Sequence, residues 1–160
     1  MFKFIGLLIV IFLPALLTAG DSLDIYNSSS IRAALLPNAN SVARIRTMDI
    51  EINGPDKAVI KTREVITILN AQAEDELYMF EYSDKFRVLE DAQIKLFDAS
   101  GKLIEKHKKK DFYTFKSNSE LVEDGENHVM RVSAGSYPVT VEKESTIRLR
   151  SIYVLSNFSF

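Results

Sequence analysis

From Ser41 onward, apolar residues recur at every second position. Ala43 and Ile45 share one parity and Met48, Ile50 and Ile52 the other, which predicts a strand with a bulge near Arg46-Thr47. Asn53-Gly54-Pro55-Asp56 concentrates turn-forming residues. Lys57 to Leu69 then places Ala58, Ile60, Thr62, Ile66 and Ile68 on one face of a run rich in β-branched residues, so the two segments form a hairpin. Leu77 to Tyr82 is a short strand in which Tyr78, Phe80 and Tyr82 point one way and Met79 and Glu81 the other. Arg87 to Phe97 alternates with Val88, Ala92, Ile94 and Leu96 inward and Arg87, Asp91, Gln93 and Lys95 outward. Asp98-Ala99-Ser100-Gly101 is a hairpin turn, with Gly101 free to take a left-handed conformation, and Lys102 to Lys106 returns antiparallel.

The later strands follow the same rule. Phe112, Tyr113 and Phe115 lead into a long acidic loop, Ser117 to Asn127. His128 to Ser133 and Tyr137 to Leu155 supply the last strands, with Pro138 fitting an edge position or a strand start. No segment after residue 20 holds a 3.6-residue period. Short strands between turn signals predict an all-β fold, an antiparallel, immunoglobulin-like sandwich of two sheets over residues 39–160. The polar stretch 21–38, closed by Pro37, reads as a flexible lead-in.

The first twenty residues differ from the rest. A single Lys3, an apolar run from Phe4 to Leu17 and the small residues Thr18-Ala19-Gly20 have the layout of a secretory signal peptide over 1–20. That run is short of the roughly twenty residues needed to cross a membrane, so no stable membrane span is expected after cleavage. The chain has no Cys, which excludes disulfides, thiolate metal sites and a cysteine nucleophile. A net charge of -2 argues against nucleic-acid binding.

Candidate chemistry is sparse. His107 lies in a Lys-rich run (Lys106 to Lys110) that suits a wet strand end better than a phosphate site. His128 with Asp111 and Ser117 would be the one nameable triad, yet no Gly-x-Ser-x-Gly turn supports it. The acidic clusters at 74–76 and 123–127 lack calcium-loop spacing. The expectation is therefore no catalytic residue, no metal and no cofactor. Tyr78, Tyr82, Tyr113 and Tyr137 are candidate ligand-facing aromatics for a glycan, although period-two aromatics in a sandwich more often fill a core. Asn27 and Asn157 begin glycosylation sequons. The alternation of Ile152, Val154, Phe158 and Phe160 also resembles the last strand of a membrane barrel, which the short strands elsewhere do not fit.

Three ordered blocks carry a family resemblance: Pro37 to Arg44 leading into Val65 to Asn70, Tyr82 to Phe86 through Leu96 to Lys102 and Lys109-Lys110-Asp111, and Ser136 to Glu142. Together they resemble an exported bacterial domain of unknown function, of Bacteroidetes type, that precedes transglutaminase-like domains. The resemblance implies a β-sandwich lacking its final strands, and it brings no catalytic residues. Its Cys, His and Asp chemistry would belong to a following domain. The expected role is an exported, noncatalytic accessory domain in the periplasm or cell envelope of a Gram-negative bacterium. Its partner would be a protein or an absent C-terminal domain. A carbohydrate- or peptidoglycan-binding module is the alternative.

Overall fold

The structure, a computed structural model, describes residues 25–116 and 125–151. The signal peptide, the start of the lead-in, Ser117, most of the acidic loop, the Asn157 sequon and the terminal alternation lie outside the described residues.

Among the described residues, eight strands form two antiparallel sheets. They are β1 (Ser41–Gly54), β2 (Lys57–Ile68), β3 (Tyr78–Ser83), β4 (Arg87–Phe97), β5 (Leu103–Lys108), β6 (Tyr113–Lys116), β7 (Glu126–Arg131) and β8 (Val139–Leu149). The large sheet has the order β1-β2-β8-β4-β5 and the small one β3-β7-β6. Their facing sides enclose one core, built from Ile60, Ile66 and Ile68 of β2, Leu89, Ile94 and Leu96 of β4, and Val141, Ile147 and Leu149 of β8. Leu77, Met79, Phe112 and Val132 close it from the small-sheet side. Each such side chain contributes about 1.5–3 kcal/mol by leaving water. The fold is thus the all-β, two-sheet sandwich that the alternation predicts.

The hairpin β1–β2 turns at Pro55-Asp56 as expected, but its bulge falls between Ala43 and Ile45. Arg44, the residue in the bulge, donates to the Asn27 carbonyl at 3.2 Å and to the Thr67 hydroxyl at 3.4 Å, so the irregularity serves that contact. In β4 a second bulge between Leu89 and Asp91 resets the parity. Leu89 rather than Val88 therefore enters the core, at 1% exposure. The turn at 98–101 is as read: Asp98 accepts from the Ser100 and Lys102 amides, and Gly101 adopts a φ of 85°.

Pro138 lies at a strand start, one of the two places read for it: it directly precedes Val139 of β8, the central strand, flanked by β2 and β4. One expectation needs correction: the aromatic side of β3 does not face the core. Met79 is buried, while Tyr78 and Phe80 are exposed.

From residue 25 the segment assigned to a lead-in lies against the outer side of the large sheet. Tyr26 stacks on Phe97 with ring centroids 4.0 Å apart, the Ser28 amide donates to the Ala99 carbonyl, and Ile31 is buried.

Candidate functional site

The outer side of the small sheet collects exposed aromatic rings. Register places Phe80 of β3, Val129 of β7 and Tyr113 of β6 in one cross-strand row, and Tyr82, Asn127 and Phe115 in the next. Tyr78 stands opposite Arg131 at one end. Tyr113 is 70% exposed, Phe80 50%, and Tyr78 and Phe115 41% each. The Tyr113 and Phe115 rings lie 5.6 Å apart at 30°. Aromatics at i and i+2 on two strands around a small β7 strand build a flat apolar face with a polar, partly basic rim. Burying such rings is what aromatic-rich interfaces do.

The four tyrosines singled out from sequence are not equivalent. Tyr78 and Tyr113 belong to the open face. Tyr82 is half-buried, and its ring lies so close to Gly125 that a Cβ there would come within 2.6 Å of Cε2. Tyr137 packs against the core, and its hydroxyl donates to Glu74, which raises its pKa. Glu74 in turn pairs with Arg131 at 3.6 Å, beside the Tyr78 end of the face. Phe80 and Phe115 complete the face. The sequence carried their signal as period-two aromatics, but that signal does not say which side of a thin sheet meets the core.

On the inner side of the same sheet, His128 is buried. Its Nδ1 lies 3.0 Å from the Thr114 hydroxyl and its Nε2 3.1 Å from the Ser83 hydroxyl, which also accepts from the Leu89 amide at 3.0 Å. Burial, and then the Lys109 ammonium, push the imidazole below its ordinary pKa. A neutral ring between two hydroxyls is satisfied in either tautomer, because each hydroxyl can donate or accept. A triad base instead needs a carboxylate to orient it and to stabilise the imidazolium. Among the described residues no carboxylate bonds this ring: Asp111 accepts from the Lys108 amide at 2.9 Å in a 3-10 turn. Of the trio that the sequence could name without supporting, Asp111 does not bond the ring and Ser117 lies outside the described residues. His107 pairs with Glu105 on edge strand β5, and Lys109 donates to the Leu89 carbonyl.

A second polar centre was not visible in the sequence. Glu142 of β8, 1% exposed, accepts from Arg63 Nε at 2.8 Å, Lys95 Nζ at 2.7 Å and the Tyr26 hydroxyl at 2.8 Å. Burial alone would raise its pKa, but these hydrogen bonds outweigh burial and hold the carboxyl below the usual range. With three donors on its two oxygens, this carboxylate ties the lead-in to three strands. Among the described residues no group of three or more potential ligands could hold a metal, and no helix is long and apolar enough to cross a membrane.

A family model described as a domain of unknown function with a solved structure, DUF3857, matches residues 55–159. No curated protein is similar to the chain. The fold resembles a crystal structure, at 2.00 Å resolution, described as "a putative protease from Parabacteroides distasonis", with a TM-score of 0.60 and 8% identity. That likeness covers 70% of this chain and 23% of the other, so the chain spans about a quarter of the length of the protein it resembles.

Proposed function

Since this chain belongs to the DUF3857 family of domains of unknown function, we propose that it is an exported, noncatalytic accessory domain that docks onto a protein partner or a neighbouring domain. The observation that carries this reading is the aromatic face of the small sheet, with Tyr78, Phe80, Tyr113 and Phe115 all exposed. Large rings held rigidly on strands lose little entropy on association and bury much apolar area, which suits a hot spot of a protein interface. Arg131 and Asn127 on β7 supply polar contacts for its rim. The fold likeness to one quarter of a longer chain supports a role beside other domains. The three sequence blocks that resemble a domain preceding transglutaminase-like domains support the same context. The apolar run and small residues of 1–20 support export to the envelope.

The test is a photoreactive amino acid at position 113 in the full chain, expressed in a Gram-negative host that carries it naturally, followed by envelope fractionation. The expected result is a processed chain in the envelope giving a discrete protein adduct that Phe80→Ser abolishes. An unprocessed cytoplasmic chain, or labelling indifferent to Phe80→Ser, would overturn the reading.

A glycan-binding module is the second reading, favoured by the paired rings of Tyr113 and Phe115. A sugar pyranose stacks on such rings, and titration with soluble peptidoglycan fragments would reveal it as binding lost in Tyr113→Ala.

A further inference from the structure

The large sheet ends in β1 on one side and β5 on the other, each with one free edge among the described residues. Four antiparallel pairings separate the two strands, so β1 and β5 run in the same direction. The ladders also fix which main-chain groups reach those edges. The Arg150 amide donates to the Phe86 carbonyl, so even-numbered residues of β8 bond to β4 and odd-numbered ones to β2. Carried outward through the registers, this alternation turns the N–H and C=O of Met48, Ile50 and Ile52 off the edge of β1, and those of Lys106 off the edge of β5.

The two edges carry opposite charge on the same side of the sheet. On its outer side β1 presents Asp49 and Glu51, in register with Lys61 and Val59 of β2. On that side β5 presents Lys106 and Lys108, in register with Lys95 and Gln93 of β4. Asp49, Glu51, Lys106 and Lys108 are all exposed, and among the described residues none of the four is held in an ion pair. The core-facing side of β1 carries the exposed apolar row Met48, Ile50 and Ile52. Like edges repel. A β1–β1 pair in which Met48 meets Ile50 sets Asp49 against Asp49, and a β5–β5 pair centred on Lys106 or His107 sets Lys106 against itself or Lys108. Charges that guard each edge against its own kind therefore leave the unlike pairing open.

We propose that β1 of one copy of this chain pairs in parallel with β5 of the next, joining the large sheets head to tail. Asp49 lies level with Lys106, and Glu51 with Lys108. In that register the Lys106 amide donates to the Met48 carbonyl, the Ile50 amide to the Lys106 carbonyl and the Ile52 amide to the Lys108 carbonyl. The Lys108 amide is already given to Asp111 at 2.9 Å, so the ladder ends there. On the core-facing side Glu105 and His107, paired with one another, lie beside Met48 and Ile50. The contact joins two different surfaces, so copies add in a row rather than closing as a two-fold dimer. Small sheets then stand on one side of the row and their aromatic faces repeat along it, although the contact does not rest on what those faces bind.

Sedimentation velocity of the full mature chain tests this. The weight-average mass is expected to rise at least about 1.5-fold between about 10 µM and about 1 mM at low salt, and to fall back in about 0.5 M NaCl. The double variants Asp49→Lys with Glu51→Lys, and Lys106→Glu with Lys108→Glu, are each expected to sediment as monomers. Mixed in equal amounts they are expected to associate again, because each supplies the charge that the other's edge now attracts, and a folding defect would not be rescued in this way. Because the chain has no Cys, Asp49→Cys and Lys106→Cys on separate chains report the register as a disulfide between copies. A wild type that stays monomeric throughout, double variants that associate as the wild type does, or a mixture that stays monomeric would each overturn the proposal. So would Asp49→Cys chains that cross-link to one another more readily than to Lys106→Cys chains.

Discussion

Ser83 Oγ stands 3.1 Å from His128 Nε2, joining β3 to β7 on the inner side of the small sheet. In a hydrolase this pair would be a nucleophile and its base. Here Thr114 occupies the place of the orienting acid, at 3.0 Å from Nδ1. The arrangement satisfies a neutral, buried imidazole and couples all three strands of the sheet.

That burial has a pH consequence. The folded chain holds His128 below the ordinary imidazole value, so the unfolded chain takes up its proton first as pH falls. Stability from this residue is complete above about pH 6.5 and declines as pH drops through that value. Thermal melts of the wild type at pH 7.5 and 5.5 are expected to show a lower Tm at 5.5, with a smaller difference in His128→Gln. Equal pH dependence in the two proteins would contradict it.

The Glu142 centre titrates lower. Its folded carboxyl is held below the usual range, so it stabilises the fold above about pH 4.3 and that contribution is lost as pH falls further. Lys95→Met removes one of its partners and is expected to cost about 1–3 kcal/mol at pH 7 by urea unfolding. The cost shrinks once the carboxyl is protonated. A loss that grows toward pH 3 would refute the assignment.

Gly125 and Tyr82 are coupled by contact. Gly125→Ala puts a methyl group against the Tyr82 ring and is expected to cost about 1–3 kcal/mol. In a double-mutant cycle with Tyr82→Ala the losses are expected to fall well short of additive, because the smaller side chain removes the clash. Additive losses would place the effect elsewhere.

The two sides of β3 predict opposite results. Met79→Ala empties a buried position and is expected to lower stability by about 2–5 kcal/mol. Phe80→Ser on the open side should stay within about 0.5 kcal/mol of the wild type. Denaturant titration of both variants checks the assignment.

The contrast at β3 also shows how far the sequence reaches. Ala58, Ile60, Ile66 and Ile68 were legible because a long β-branched strand with one greasy side leaves a single way to face the core. In β3 both sides are apolar, Met79 against Tyr78 and Phe80, and alternation alone cannot choose between them. Leu89 was missed because one extra residue in a bulge inverts the parity of everything before it. The central place of β8 was illegible because strand order is set by pairings between distant segments, such as Ile66 with Val141. Nothing in the local sequence sets Glu142 apart from Glu144. Only Tyr26, Arg63 and Lys95, brought from three distant parts of the chain, bury and neutralise it.

The most direct test of the docking account is covalent footprinting of the chain, free in solution and in its native envelope. The account predicts that Tyr78, Phe80, Tyr113 and Phe115 label strongly in the free chain and become protected in the envelope, while Met79 stays unlabelled in both. Rings that label equally in the two settings, or that are already protected in the free chain, would contradict it.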